Sequence, residues 1–143
     1  MTILSDSANW NEENKGVLGI YVSKINPSDY KGNSLWNDFP EDVTQKIFLN
    51  EYENKIVLFE SEKQETVLIR VLKLSECAFG YAGLADLQID GELVKPTQRE
   101  DDALKIEFIG DSITCGYGIE GGWNVDPFST KTERADKAYA FLT

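Results

Sequence analysis

A chain of 143 residues with 41% hydrophobic content is about one ordinary domain, long enough for one core and too short for two large ones. Its 25 acids outweigh 14 bases for a formal net charge of −11, which disfavours phosphate backbones and anionic membranes and is compatible with a neutral ligand such as a carbohydrate. Cys77 and Cys115 have no companion sulfurs or histidines to build a zinc site, so both are expected to be reduced, small packing residues.

No stretch approaches the roughly 20 apolar residues of a membrane helix. The opening MTILSDSANWNEEN has neither a basic start nor an apolar middle, so it does not read as a secretory signal and tilts the expectation toward the cytoplasm. The first hundred residues then read as β. Candidate strands are Val17–Ser23, Gln45–Tyr52, Lys55–Ser61, Thr66–Leu74 and Leu84–Asp90, short and rich in β-branched residues, as in an antiparallel sandwich. In LADLQIDGEL, Ala85, Leu87 and Ile89 alternate with Asp86, Gln88 and Asp90, and Asp90-Gly91 supplies a hairpin turn. Between the first two strands, Asn26 to Asp42 carries Pro27, Gly32 and Pro40 and reads as a loop. Trp36 and Phe39 within it either face a sugar ring or pin the loop to the core.

Pro96 to Asp102 reads as a polar linker, with Asp101 and Asp102 a solvated pair lacking the spaced ligands of a calcium loop. Beyond it the texture changes. Ala103–Ile109 reads as a strand, followed by a glycine-rich loop, a capping box at Thr130-Lys131-Thr132-Glu133, and a helical stripe of Ala135, Ala138, Tyr139 and Leu142. The expected division is a β-sandwich over 1–100 and the start of an α/β domain over 101–143. One strand-turn-helix unit cannot cover both faces of a parallel strand, so this part is expected to depend on further polypeptide.

Residues 105–118, KIEFIGDSITCGYG, carry the chemistry. A strand that breaks at Gly110 and presents Ser112 places a hydroxyl at the strand's C-terminal edge, where open α/β sheets bind ligands. There, backbone N–H groups favour the negative charge of a tetrahedral oxyanion. Rival readings are weaker. Gly116, Gly118 and Gly121 spell G-x-G-x-x-G but lie six or more residues past the strand with no helix directly following, which breaks the dinucleotide-binding context. The run Gly110-Asp111-Ser112-Ile113-Thr114 does not match the G-x-S-x-G elbow, which needs a glycine where Thr114 stands.

KIEFIGDSITCGYG, with the downstream FSTKTE and AYA, resembles the start of the catalytic domain in the second family of carbohydrate esterases, GDSL-type or SGNH hydrolases. The resemblance spans roughly residues 66 to 143. It implies a jelly-roll-like β-sandwich followed by an incomplete α/β/α hydrolase domain, acting as an acetyl esterase on plant polysaccharides such as xylan and mannan. It further implies Ser112 as nucleophile and backbone oxyanion donor, Gly110 and Asp111 as its flanking block, and no metal or organic cofactor. Proteins of this type are often extracellular. Tyr117 and Trp123 either contact the substrate or serve packing, and Asp111 either orients the serine or caps a helical turn.

The resemblance also implies a catalytic histidine and further oxyanion donors in later blocks that this sequence lacks; it has no histidine at all. A serine needs an adjacent base, and the carboxylates of Asp111, Glu120 or Glu133 are weak ones at their ordinary pKa. The expected protein is therefore an N-terminal portion of an esterase, inactive alone. The competing expectation is a noncatalytic carbohydrate-binding sandwich module.

Overall fold

The computed structural model describes residues 1–26, 39–94, 106–122, 124 and 126–143. Trp36, Asp101, Asp102 and Trp123, the start of the expected strand at Ala103, and the whole of the expected linker Pro96 to Asp102 lie outside the described residues.

The described chain is mainly β. Strands β1 (Thr2–Ser5), β2 (Gly16–Ile25), β3 (Gln45–Leu49), β4 (Glu53–Lys55), β5 (Thr66–Lys73) and β6 (Ala82–Asp86) form two antiparallel sheets of three strands each, in the orders β4-β1-β6 and β3-β2-β5. Ile3, Leu18, Leu49 and Ile56 meet between the sheets and make the apolar core. Strand β2 is central to its sheet, with Ile20 opposite Gln45 on one side and Val71 on the other. Its residues Val17, Leu18, Ile20 and Tyr21 are all buried, so the strand is covered on both faces. The Leu18 face meets the other sheet. The Tyr21 face meets the C-terminal segment, where the phenol donates to Asp136 Oδ2 at 2.6 Å.

Several expected elements are corrected. The Lys55–Ser61 strand is instead β4 at Glu53–Lys55, and β6 stops at Asp86 before the Leu87–Asp90 alternation ends. Both end for one reason: each pairs with β1, and the register reaches β1's first strand residue at Thr2↔Lys55 and Thr2↔Asp86. A strand without a neighbour has no ladder to hold it. Leu87 and Ile89 are accordingly exposed, and no hairpin partner follows Asp90-Gly91 among the described residues.

The strand-turn-helix unit is altered in the same way. Residues 106–110 carry no strand, and Ile106, Phe108 and Ile109 stand exposed. The expected helix is broken into 3-10 turns at Thr130–Thr132 and Ala135–Lys137 and one α-turn, α1, at Tyr139–Leu142. Arg134 (φ −145°, ψ 83°) and Ala138 (φ −73°, ψ 151°) leave helical space and interrupt the periodicity. The capping box does not form. Ser129 Oγ accepts from Lys131 N at 3.2 Å, and Glu133 turns away to accept from Glu76 N at 3.0 Å.

Candidate functional site

The Ser112 segment is one compact turn. Asp111 O accepts from Thr114 N at 3.0 Å and from Cys115 N at 3.3 Å, and Ser112 O accepts from Tyr117 N at 2.9 Å. Asp111 caps this turn through Oδ1, which accepts from Ile113 N at 3.0 Å, satisfying an amide that has no partner inside the turn. Gly110 is required by close approach: a Cβ there would fall 1.9 Å from Thr114 Oγ1. Gly116 is required twice over, having φ 83° and a Cβ position 2.3 Å from Arg134 O. Two of the glycines that spell G-x-G-x-x-G thus serve the turn's geometry, Gly118 also having positive φ at 66°.

Ser112 is half-buried, and its hydroxyl makes no hydrogen bond among the described residues. The three carboxylates weighed as its base make their hydrogen bonds elsewhere. Asp111 is occupied as the cap. Glu120 binds Lys46 Nζ at 2.6 Å and Arg134 Nη1; its burial favours protonation, but these two cations outweigh it and hold the carboxyl below the usual range. Glu133 is fully buried, which pushes its carboxyl above the usual range, and its Oε1 has no hydrogen-bond partner. None of the three bonds to Ser112.

Tyr117 is part of an aromatic column. Its ring stacks on Phe128 (centroids 4.9 Å, 15° between planes), Phe128 lies against Phe79 at 4.8 Å, and Phe79 meets Trp10 edge-on at 5.9 Å. One face of Tyr117 is thus covered by Phe128, while the residue as a whole remains 45% exposed. Phe39, the described aromatic of the long loop, is covered by the Arg70 guanidinium at 4.1 Å. A shallow surface depression lined by Lys24, Ile25, Asn26, Gln64, Glu65 and Thr66 includes none of the Ser112 turn.

The sequence did not announce the most connected part of the region. Arg134, 1% exposed, donates from Nε to Asp136 Oδ1 at 2.8 Å and from Nη2 to Asp136 Oδ2 at 2.6 Å and Asp42 Oδ1 at 2.7 Å, besides Nη1 to Glu120. Asp136, buried beneath it, also accepts from Tyr21; desolvation would raise its pKa, but Arg134 and Tyr21 overcome this and lower it. Hydropathy places such residues at the surface, and only the R-x-D spacing within ERADKA hints at a local pair.

Comparison with known proteins adds one partial likeness. The chain is 49% identical over 49 residues to the cellulase/esterase CelE of Acetivibrio thermocellus. That match covers 34% of this chain and 5% of the relative, so the chain spans a small part of the protein it resembles. No protein-family model and no solved structure matches the chain. Among the described residues, no group of three or more His, Cys, Asp or Glu side chains is arranged to hold a metal ion, and no helix is long and apolar enough to cross a membrane.

Proposed function

We propose that this chain is the N-terminal portion of a serine carbohydrate esterase of the SGNH type, acting on acetylated plant polysaccharide such as xylan or mannan. The observation that carries the reading is the partial identity with a protein named as a cellulase/esterase. It is supported by a glycine-dependent turn in which the Ser112 hydroxyl makes no hydrogen bond among the described residues. In this mechanism Ser112 Oγ attacks the acetyl carbonyl carbon while a histidine contributed by other polypeptide takes the hydroxyl proton. The Ser112 backbone N–H is one donor to the oxyanion. The histidine returns the proton to the departing sugar oxygen, leaving an acetyl-serine ester, and water then releases acetate by the reverse proton route. Gly110 and Asp111 shape and cap the turn. Tyr117 offers its uncovered face to the saccharide, and Trp123, a tryptophan in the glycine-rich GGWN stretch, is given the same role. The step uses no metal or organic cofactor.

The absence of histidine favours one alternative, a noncatalytic sandwich module that binds polysaccharide. The two readings separate by assay. The purified chain is expected to show no Ser112-dependent hydrolysis of an aryl acetate, whereas fusion to the histidine-bearing remainder of such an esterase domain should produce hydrolysis that Ser112→Ala abolishes. Activity of the chain alone that disappears in Ser112→Ala would show that the base lies within it. A fusion that folds but stays inactive, with retarded migration on xylan, mannan or cellulose gels, would leave the binding module.

A further inference from the structure

The Ser112 turn does not stand alone on the surface. It is fastened to the segment that follows it: Arg134 N donates to Gly116 O at 3.0 Å, and Glu120 N donates to Thr132 O at 3.0 Å. The side chain of Arg134 continues this link in both directions. Toward the turn it binds Glu120, whose other oxygen takes Lys46 Nζ from β3 at 2.6 Å; Lys46 also donates to Lys131 O at 2.5 Å. Toward the sandwich it binds Asp136, which is fixed to Tyr21 of β2. The guanidinium is planar and forked, so its bonds set direction as well as distance, and its 1% exposure keeps water from competing.

From this geometry we infer that the Arg134–Glu120–Lys46 cluster is a positioning device that locks the Ser112 turn to the β3-β2-β5 sheet, holding the nucleophile in register for a base supplied from elsewhere. The inference concerns positioning residues, none of which touches the reacting atoms, and it rests on the esterase reading for its purpose. Its physical content is separate. A turn of about eight residues, with one face toward solvent, opens locally unless it is tied down. Here the ties include two main-chain bonds, the hydrogen bond between the Thr114 and Tyr139 hydroxyls at 2.8 Å, the stack of Tyr117 on Phe128 and the ionic node, and of these the node is the one that reaches both β2 and β3.

Glu120→Gln removes the charge that binds the turn to Arg134 and Lys46 while leaving the buried Arg134–Asp136–Tyr21 part intact. In this variant the amides of Thr114, Cys115, Gly116 and Tyr117 should exchange with deuterium about fivefold faster than in the parent, while the β2 amides of Ile20 and Tyr21 stay within about twofold. Cys115 reports the same opening optically. With Cys77→Ser as background, its reaction with a chromogenic disulfide should accelerate by a similar factor while the urea midpoint holds. Arg134→Lys, which keeps one charge and loses the fork, should also loosen the turn. Unchanged exchange and labelling in Glu120→Gln would overturn the inference, and so would equal acceleration of turn and β2 amides, since that is the mark of global destabilisation. No substrate enters either measurement, so failure of the esterase reading would appear only in the hydrolysis assay.

Discussion

Single residues around Ser112 are chosen by backbone geometry more than by chemistry. Gly116 and Gly118 both occupy the left-handed region, but their surroundings differ. A Cβ at Gly116 meets the Arg134 carbonyl carbon at 2.5 Å as well as its oxygen, whereas one at Gly118 meets nothing within 4 Å. Gly118→Ala should therefore cost only the conformational penalty, about 1 kcal/mol. Gly116→Ala adds a main-chain collision that no rotamer relieves, and should cost about 3 kcal/mol or more. Urea denaturation of the two variants measures the difference, and equal losses would mean that the turn is not packed on residue 134. Asp111 belongs to the same scale: the GDS tripeptide signals a capped turn on general grounds, and the observed Oδ1 bond to Ile113 N is that cap.

At the scale of elements, strand formation follows neighbours. Strand β2 was legible from VLGIYVS because its side chains are apolar on both faces, and it extends to Gly16–Ile25 because β3 and β5 flank it. Ile106, Phe108 and Ile109 are as apolar as β2, yet form no strand. These differences should appear in stability. Ile20→Ala removes a fully buried side chain from the centre of a sheet and should cost about 3 kcal/mol. Ile113→Ala, at a position 68% exposed, should change stability by no more than about 0.5 kcal/mol. A comparable loss at both positions, read from denaturant midpoints, would place Ile113 in a core that the structure does not show.

Over the whole molecule, charge couples folding to pH. Asp42, Glu120 and Asp136 have lowered carboxyl pKa values in the folded state, Asp42 chiefly through its hydrogen bond from Arg134. Their stabilisation is present above the ordinary values, 3.8 for Asp and 4.5 for Glu, and is lost as pH falls through the lower folded values. Glu133 acts in the opposite sense. Its pKa is raised, so its contribution is complete below 4.5 and is lost as pH rises through the folded value. The formal charge of −11 adds repulsion on the alkaline side. The urea midpoint should thus be highest near about pH 5, fall steeply below about pH 4, and decline gently toward about pH 8. A midpoint that climbs steadily from pH 5 to pH 8 would contradict this balance.

Taken alone, the amino-acid sequence determined the β character of the described residues before the Ser112 segment, the approximate places of β2, β3, β5 and β6, and the glycine-framed turn that presents Ser112. These are local properties, set by side-chain alternation and by which backbone angles a residue tolerates. Strand β1 escaped notice because four residues of TILS carry too little periodicity, and the helix expected after Thr130 was divided because Arg134 and Asp136 are drawn inward. Tertiary structure alone decided that Arg134, Glu133 and Asp136 are buried and that the Ser112 turn is bound to the sheet of Tyr21 and Lys46. Burial of a charge depends on partners up to 115 residues away in sequence, as for Tyr21 and Asp136, and such a pairing leaves no pattern in the neighbouring residues.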